Sequence, residues 1–269
     1  MTAPLHPPPF VHDSGSGPCV VCLHSNGATS MQWMELSAAL SPRYRVLAPD
    51  LWGSGRSPRP QAGVLPMLAD EIDLLEPVFR AAGGRFFLVG HSYGAAVALV
   101  AAASWPSRVA GLALYEPTLF ALLEHDTPSH PSNAGIRNAV AGAPELIAAG
   151  ETDAVARKFI DFWMGDGAWD RIPANRKTRI AESMANLEAW SRALTTEPTT
   201  IETLAALRMP ILLMRGASSP QSAQGVTELL ASRLPHRELV TFAHMGHMGP
   251  MTHAQDVNAA IAQFLQRRA

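Results

Sequence analysis

Phe86-Phe87-Leu88-Val89-Gly90-His91-Ser92-Tyr93-Gly94, followed by the Ala-rich run Ala95 to Ala103, is the stretch that decides the fold. The four leading apolar residues read as a buried strand and the alanine-rich run reads as a helix. Between them stands G-x-S-x-G, the pattern of a nucleophile elbow, in which a sharp strand-to-helix turn holds a serine in a strained backbone conformation at the C-terminal edge of a sheet. Gly90 and Gly94 carry no side chain, so strand and helix can approach closely. The five-residue pattern arises often by chance. Its strand–turn–helix setting makes it specific, and Ser92 is the candidate nucleophile.

Outward from the elbow, Val/Leu/Ile-rich runs alternate with helical segments. Strands are expected at Cys19–His24, Arg45–Pro49, Phe86–Gly90, Val109–Tyr115, Ile211–Arg215 and Glu238–Phe242, with a short edge strand near Phe10–His12. Helices are expected near Met31–Leu40, Leu65–Ala82, Tyr93–Ser104, Gln221–Arg233 and Ala254–Gln266. Near-continuous apolar strands separated by helices imply an α/β protein whose mostly parallel sheet is covered on both faces. The alternation stops between about Thr118 and Leu207, where the pattern is helical, with Trp163, Trp169 and Trp190 and repeated Pro or Gly breaks. That stretch is too long for a bare loop. It reads as a helical cap, residues 118–207, inserted into a core domain of residues 1–117 and 208–269.

Composition narrows the function. The chain has 269 residues, 47% of them hydrophobic, and a net charge of −2. That content supports one large core, and no basic stripe invites nucleic acid. No apolar run is long enough to span a membrane and no secretory signal is expected, which points to a cytoplasmic protein acting on a small molecule, with homo-oligomerisation left open. Cys19 and Cys22 form C-x-x-C, but inside a strand-like run rather than at a turn opening a helix. Residues three apart on a strand face opposite sides, so two reduced, buried thiols are expected.

Other loops supply what a serine nucleophile needs. His24-Ser25-Asn26-Gly27 closes the first long strand. A tetrahedral oxyanion requires two preorganised N–H donors, and the backbone N–H groups of Tyr93 and Asn26 are the candidates. Asp50-Leu51-Trp52-Gly53-Ser54-Gly55-Arg56-Ser57 follows the next strand, and Asp50 is read as a brace for loop N–H groups or Arg56. Among ten histidines, His247, flanked by Gly246 and Gly249 between the last strand and the last helix, is the candidate general base. His244 is the competitor, and His91 is expected to point away from the nucleophile. No H-E-x-x-H or H-x-x-E-H spacing occurs, so neither a metal nor another cofactor is expected.

Taken together, His24-Ser25-Asn26-Gly27, the Asp50–Ser57 loop, Gly90-His91-Ser92-Tyr93-Gly94 and Gly246-His247 resemble the α/β-hydrolase family, in the family's order and over nearly the whole chain. Ser25 replaces the glycine usual after the oxyanion-loop histidine. A larger departure concerns the acid. The resemblance implies a G-x-x-D pattern after the strand that follows the cap, but here the chain reads Gly216-Ala217-Ser218-Ser219. Either the triad is a dyad or the acid has moved. Glu116, directly after Val109–Tyr115, is the preferred acid, with Glu124, Asp126 and Asp50 as fallbacks. Its placement resembles that in haloalkane dehalogenases. Their nucleophile is an aspartate, so Ser92 argues against dehalogenation and epoxide opening.

The resulting expectation is acyl transfer by Ser92, His247 and Glu116 on an ester or lactone of a small, largely apolar substrate. Trp163 and Met248 are expected to line the pocket, with Met251 beside them. C–C hydrolysis of a vinylogous diketone, perhydrolase or haloperoxidase-like activity, and a non-enzymatic small-molecule receptor on the same fold are the alternatives.

Overall fold

The computed structural model describes residues 6–61, 63–126, 128 and 131–268. Seven strands form one sheet: β1 (Val11–Ser14), β2 (Cys19–Leu23), β3 (Arg45–Pro49), β4 (Phe86–His91), β5 (Val109–Tyr115), β6 (Ile211–Gly216) and β7 (Arg237–Phe242). Their order is β1-β3-β2-β4-β5-β6-β7. Only β1 runs antiparallel, paired with β3 through Val11 opposite Pro49. The edge strand therefore begins and ends later than the expected Phe10–His12. Its pairing is set by β3, not by its own weak pattern.

The sheet separates two apolar layers. Val21, Leu23, Leu88, Leu112 and Leu213 pack on one side with the helices Leu68–Ala81 and Tyr93–Ser104. Val20, Cys22, Val46, Val89, Ala113 and Met214 pack on the other with Met34–Leu40 and Ala254–Gln266. Cys19 and Cys22 fall in opposite layers as free, buried thiols. Burial pushes the Cys19 thiol up to about 11, away from thiolate chemistry.

Two helices differ from expectation at their starts. The helix expected from Leu65 begins at Leu68, because Pro66 disfavours helical geometry before it and Met67 is extended. The Asp70 carboxylate accepts the Met67 N–H at 2.7 Å and caps this end. A 3₁₀ turn, Ser30–Trp33, precedes Met34–Leu40 in place of one continuous helix. Between β5 and β6 the described residues are helical, from Ala121–Asp126 through Ile201–Ala205, with no strand among them. Among the described residues no helix is long and apolar enough to cross a membrane.

Candidate active site

Close packing shapes the elbow. A Cβ on Gly90 would lie 2.5 Å from Ala95 Cα, and one on Gly94 would lie 2.3 Å from the Leu23 carbonyl oxygen. Neither backbone can yield, so both positions need glycine. Ser92 has φ 55° and ψ −116°. Its N–H still donates to Tyr115 O at 2.9 Å, so the ladder from β5 pins it at the sheet edge.

The same edge holds Glu116. Its N–H donates to Met214 O at 2.9 Å, carrying the β5–β6 ladder one residue past β5. Ser92 and Glu116 are the two non-glycine residues with positive φ among those described. Backbone strain of this kind costs roughly 1–3 kcal/mol per residue and persists where surroundings over-determine it. At Glu116 it turns the side chain sideways, across the end of β6, toward the loop after β7.

Three side chains meet there. Ser92 Oγ lies 2.9 Å from His247 Nε2, and His247 Nδ1 lies 2.7 Å from Glu116 Oε2. Glu116 Oε1 accepts from Gly216 N–H at 2.7 Å and from Ser219 Oγ–H at 2.5 Å. With Oε1 doubly occupied, Oε2 is left to accept Nδ1–H, and Nε2 is then free to accept from Ser92. All three residues are buried, Glu116 fully so. The expected trio is therefore brought together. The role of Ser219 was missed by sequence reasoning, which saw only the lost aspartate. A hydroxyl one strand away from a relocated carboxylate was the available signal.

The other candidates lie elsewhere. Asp50 accepts the N–H groups of Ser30 at 2.7 Å and Arg56 at 2.9 Å, which makes it a loop brace. Glu124 and Asp126 bond Arg137 and Arg233 on the surface. His244 is exposed. His91 points away from Ser92, its Nε2 donating to the His247 carbonyl at 2.8 Å. Burial and the neighbouring His247 hold its imidazole well below the ordinary range, so it is neutral.

A cavity of about 60 Å³ opens on Ser92. Ser25, Asn26, Ser92, Thr118 and His247 are its polar lining residues, with Met248, Phe159, Trp163 and Trp190 among the apolar ones. No Asp, Glu, Lys or Arg lines it. Trp163 stacks on the His247 imidazole, ring centres 3.9 Å apart and 25° between planes. Phe162 packs edge-on against Trp163 rather than facing the cavity, and Met251 is half exposed and away from it. Asn26 is half buried beside Ser92. Tyr93, the first residue of its helix, carries one of the N–H groups that a helix start leaves without an intrahelical partner. The Tyr93 hydroxyl points the other way and donates to Glu71 Oε1 at 3.0 Å. No cluster among the described residues has the makings of a metal site.

A family model described as "Alpha/beta hydrolase family" matches residues 20–260. A pimeloyl-[acyl-carrier protein] methyl ester esterase of Chromobacterium violaceum is 28% identical over 97% of this chain and 99% of its own. An uncharacterized protein of Mycobacterium tuberculosis is 37% identical over 103 residues, and the matched part spans 38% of this chain but only 29% of that protein. Among solved structures, an esterase from Thermogutta terrifontis superposes with a TM-score of 0.76 at 23% identity, covering 96% of this chain and 93% of its own.

Proposed function

The chain belongs to the alpha/beta hydrolase family, and from that membership we propose that it is a serine hydrolase that cleaves an ester or lactone of a small, largely apolar substrate through an acyl-enzyme. The observation that carries this reading is the continuous run Ser92–His247–Glu116 facing an apolar cavity that no charged side chain lines.

In this reading His247 Nε2 takes the Ser92 hydroxyl proton as Oγ bonds to the substrate carbonyl carbon. The carbonyl oxygen becomes an oxyanion, held by the N–H groups of Tyr93 and Asn26. His247 Nε2–H then protonates the departing alkoxide, and the C–O bond breaks to leave the acyl-enzyme. Water gives its proton to Nε2, adds to the acyl carbon, and releases the acid as Ser92 recovers its proton. Glu116 holds the ring with its proton on Nδ1 and offsets the positive charge that develops on it. The indole of Trp163 lies against the same ring. The insertion, residues 118–207, acts as the cap that supplies the apolar wall. An uncharged wall suits an uncharged acyl or alcohol group, and the esterase of Chromobacterium violaceum supports the ester class.

A fluorophosphonate probe, p-nitrophenyl esters and simple lactones, each run against Ser92→Ala, test the reading. Labelling at Ser92 with hydrolysis lost in the variant is expected. Absence of both labelling and turnover in the unaltered protein would sink it.

A further inference from the structure

Behind the reacting groups, two residues outside the trio join the oxyanion loop to the base loop. Gln32 Oε1 accepts from Ser25 N–H at 3.1 Å and from Ser25 Oγ–H at 3.0 Å. Gln32 Nε2 lies 3.2 Å from His91 Nδ1. His91 Nε2 lies 2.8 Å from the backbone oxygen of His247. A carbonyl oxygen only accepts, so Nε2 of His91 carries the hydrogen. The ring is neutral and fully buried, so Nδ1 is bare and accepts from Gln32. That orients the Gln32 amide, leaving Oε1 toward Ser25. Each member has one assignment that satisfies every bond, and the sequence of donors runs one way from Ser25 to His247.

We propose that Gln32 and His91 are positioning residues of the Ser92 site, forming a one-directional hydrogen-bond relay, Ser25–Gln32–His91–His247, that holds the oxyanion loop and the base loop in fixed relation. The proposal rests on the serine hydrolase reading above. Catalysis by an oxyanion donor and a base needs both held in one geometry throughout the reaction. They sit on loops after β2 and β7, which are not neighbours in the sheet, so no backbone ladder ties them. The relay does. It also gives Ser25 a role: its hydroxyl makes the second bond to Gln32, which the glycine usual in the family lacks. His24 braces the same residue from the other side, its Nδ1–H donating to Ser25 O at 2.8 Å while its Nε2 accepts Leu51 N–H at 3.0 Å. The titratable groups facing His91 are His247, His24 and Tyr115.

His91→Phe, His91→Gln and Gln32→Leu separate positioning from packing. Phenylalanine keeps the ring that meets Tyr115 edge-on but has no donor or acceptor. Glutamine has both and fills less space. On p-nitrophenyl acetate, His91→Phe and Gln32→Leu are expected to lower kcat by about 10-fold or more, short of the 10²–10³-fold for losing an oxyanion donor outright, with KM nearly unchanged. His91→Gln is expected to recover most of the loss. Higher activity in His91→Phe than in His91→Gln, or full activity in Gln32→Leu, overturns the proposal. Nitrogen NMR of the unaltered protein at neutral pH provides a readout independent of turnover. The neutral Nε2–H tautomer is expected for His91, and a proton on Nδ1 overturns the relay even if the hydrolase reading stands. If no ester is turned over, the hydrolase reading fails while the tautomer still decides whether the relay exists.

Discussion

At the scale of single residues, Glu116 is the side chain most worth changing, because the proposed mechanism gives it the acid's role where Gly216-Ala217-Ser218-Ser219 offers no aspartate. Glu116→Gln keeps shape but offers His247 an amide that cannot hold the imidazolium. In triads of this kind the equivalent change lowers kcat by about 10⁴-fold, and a loss of that order is expected in p-nitrophenyl ester hydrolysis. Asp50→Asn, at a carboxylate that bonds the N–H groups of Ser30 and Arg56, is the comparison; equal losses in both would remove Glu116 from the mechanism. Ser219 sharpens the test, because it stands where the family's aspartate would and touches the same carboxylate. Ser219→Asp alone sets two carboxyl groups against each other and is expected to lower activity at neutral pH. The pair Glu116→Gln with Ser219→Asp returns one acid to the usual strand and is expected to exceed Glu116→Gln alone. Activity in the pair no higher than in Glu116→Gln would mean that the β6 end cannot serve His247. Ser92 and His247 were legible because glycine spacing marks an elbow and a tight loop. Glu116 was legible only as the residue left when the expected aspartate was missing. Its positive φ, its bond to Gly216 N–H and the help from Ser219 arise from register between β5 and β6, which no local pattern encodes.

At the scale of elements, the elbow is braced from the helix Leu68–Ala81. Glu71 is buried on that helix and accepts from Tyr93 OH at 3.0 Å and Trp52 N–H at 3.1 Å. Burial outweighs those bonds and pushes its carboxyl up to about 7 from an ordinary value of 4.5. A carboxyl raised on folding gives its full contribution below the unfolded value, and that contribution is lost as pH rises through the folded one. Between about pH 4.5 and 7 the fold should therefore lose stability on the order of 3 kcal/mol from this one group. Glu71→Gln cannot titrate. Its Tm relative to the unaltered protein is expected to rise from pH 5 to pH 8, and a constant difference would show that Glu71 is ionised throughout. The sequence made the strands, the elbow helix and the last helix readable through their apolar runs. It misplaced the starts that depend on chain geometry, such as Leu68 after Pro66, and the edge strand whose partner is β3. Glu71 carries no local signal of burial, because a charged residue on an amphipathic helix is ordinarily solvated, and its burial follows from where the elbow packs.

At the scale of the whole molecule, the helical stretch between β5 and β6 supplies most of the residues around the cavity at Ser92, and under the proposed function it is the filter for substrates. Ser92 and His247 are buried and the cavity beside them measures about 60 Å³, so the proposed hydrolase is expected to favour short acyl groups. Trp163 belongs to the insertion yet rests on His247 of the core, which makes one indole both a wall and a support for the base. Those two roles separate in a series of p-nitrophenyl esters from acetate through butyrate to octanoate. A weaker base lowers turnover of every ester alike and cancels in the ratio of two of them, whereas a wider cavity alters the ratio. The unaltered protein is expected to prefer acetate and butyrate. Trp163→Ala is expected to raise the octanoate-to-acetate ratio of kcat/KM by about 10-fold or more, since a single methylene in an apolar pocket is already worth roughly 10-fold and an indole removes far more. An unchanged ratio with a uniform fall would leave Trp163 as a support for His247 alone and would move the length limit to Phe159 or Trp190, which line the same cavity.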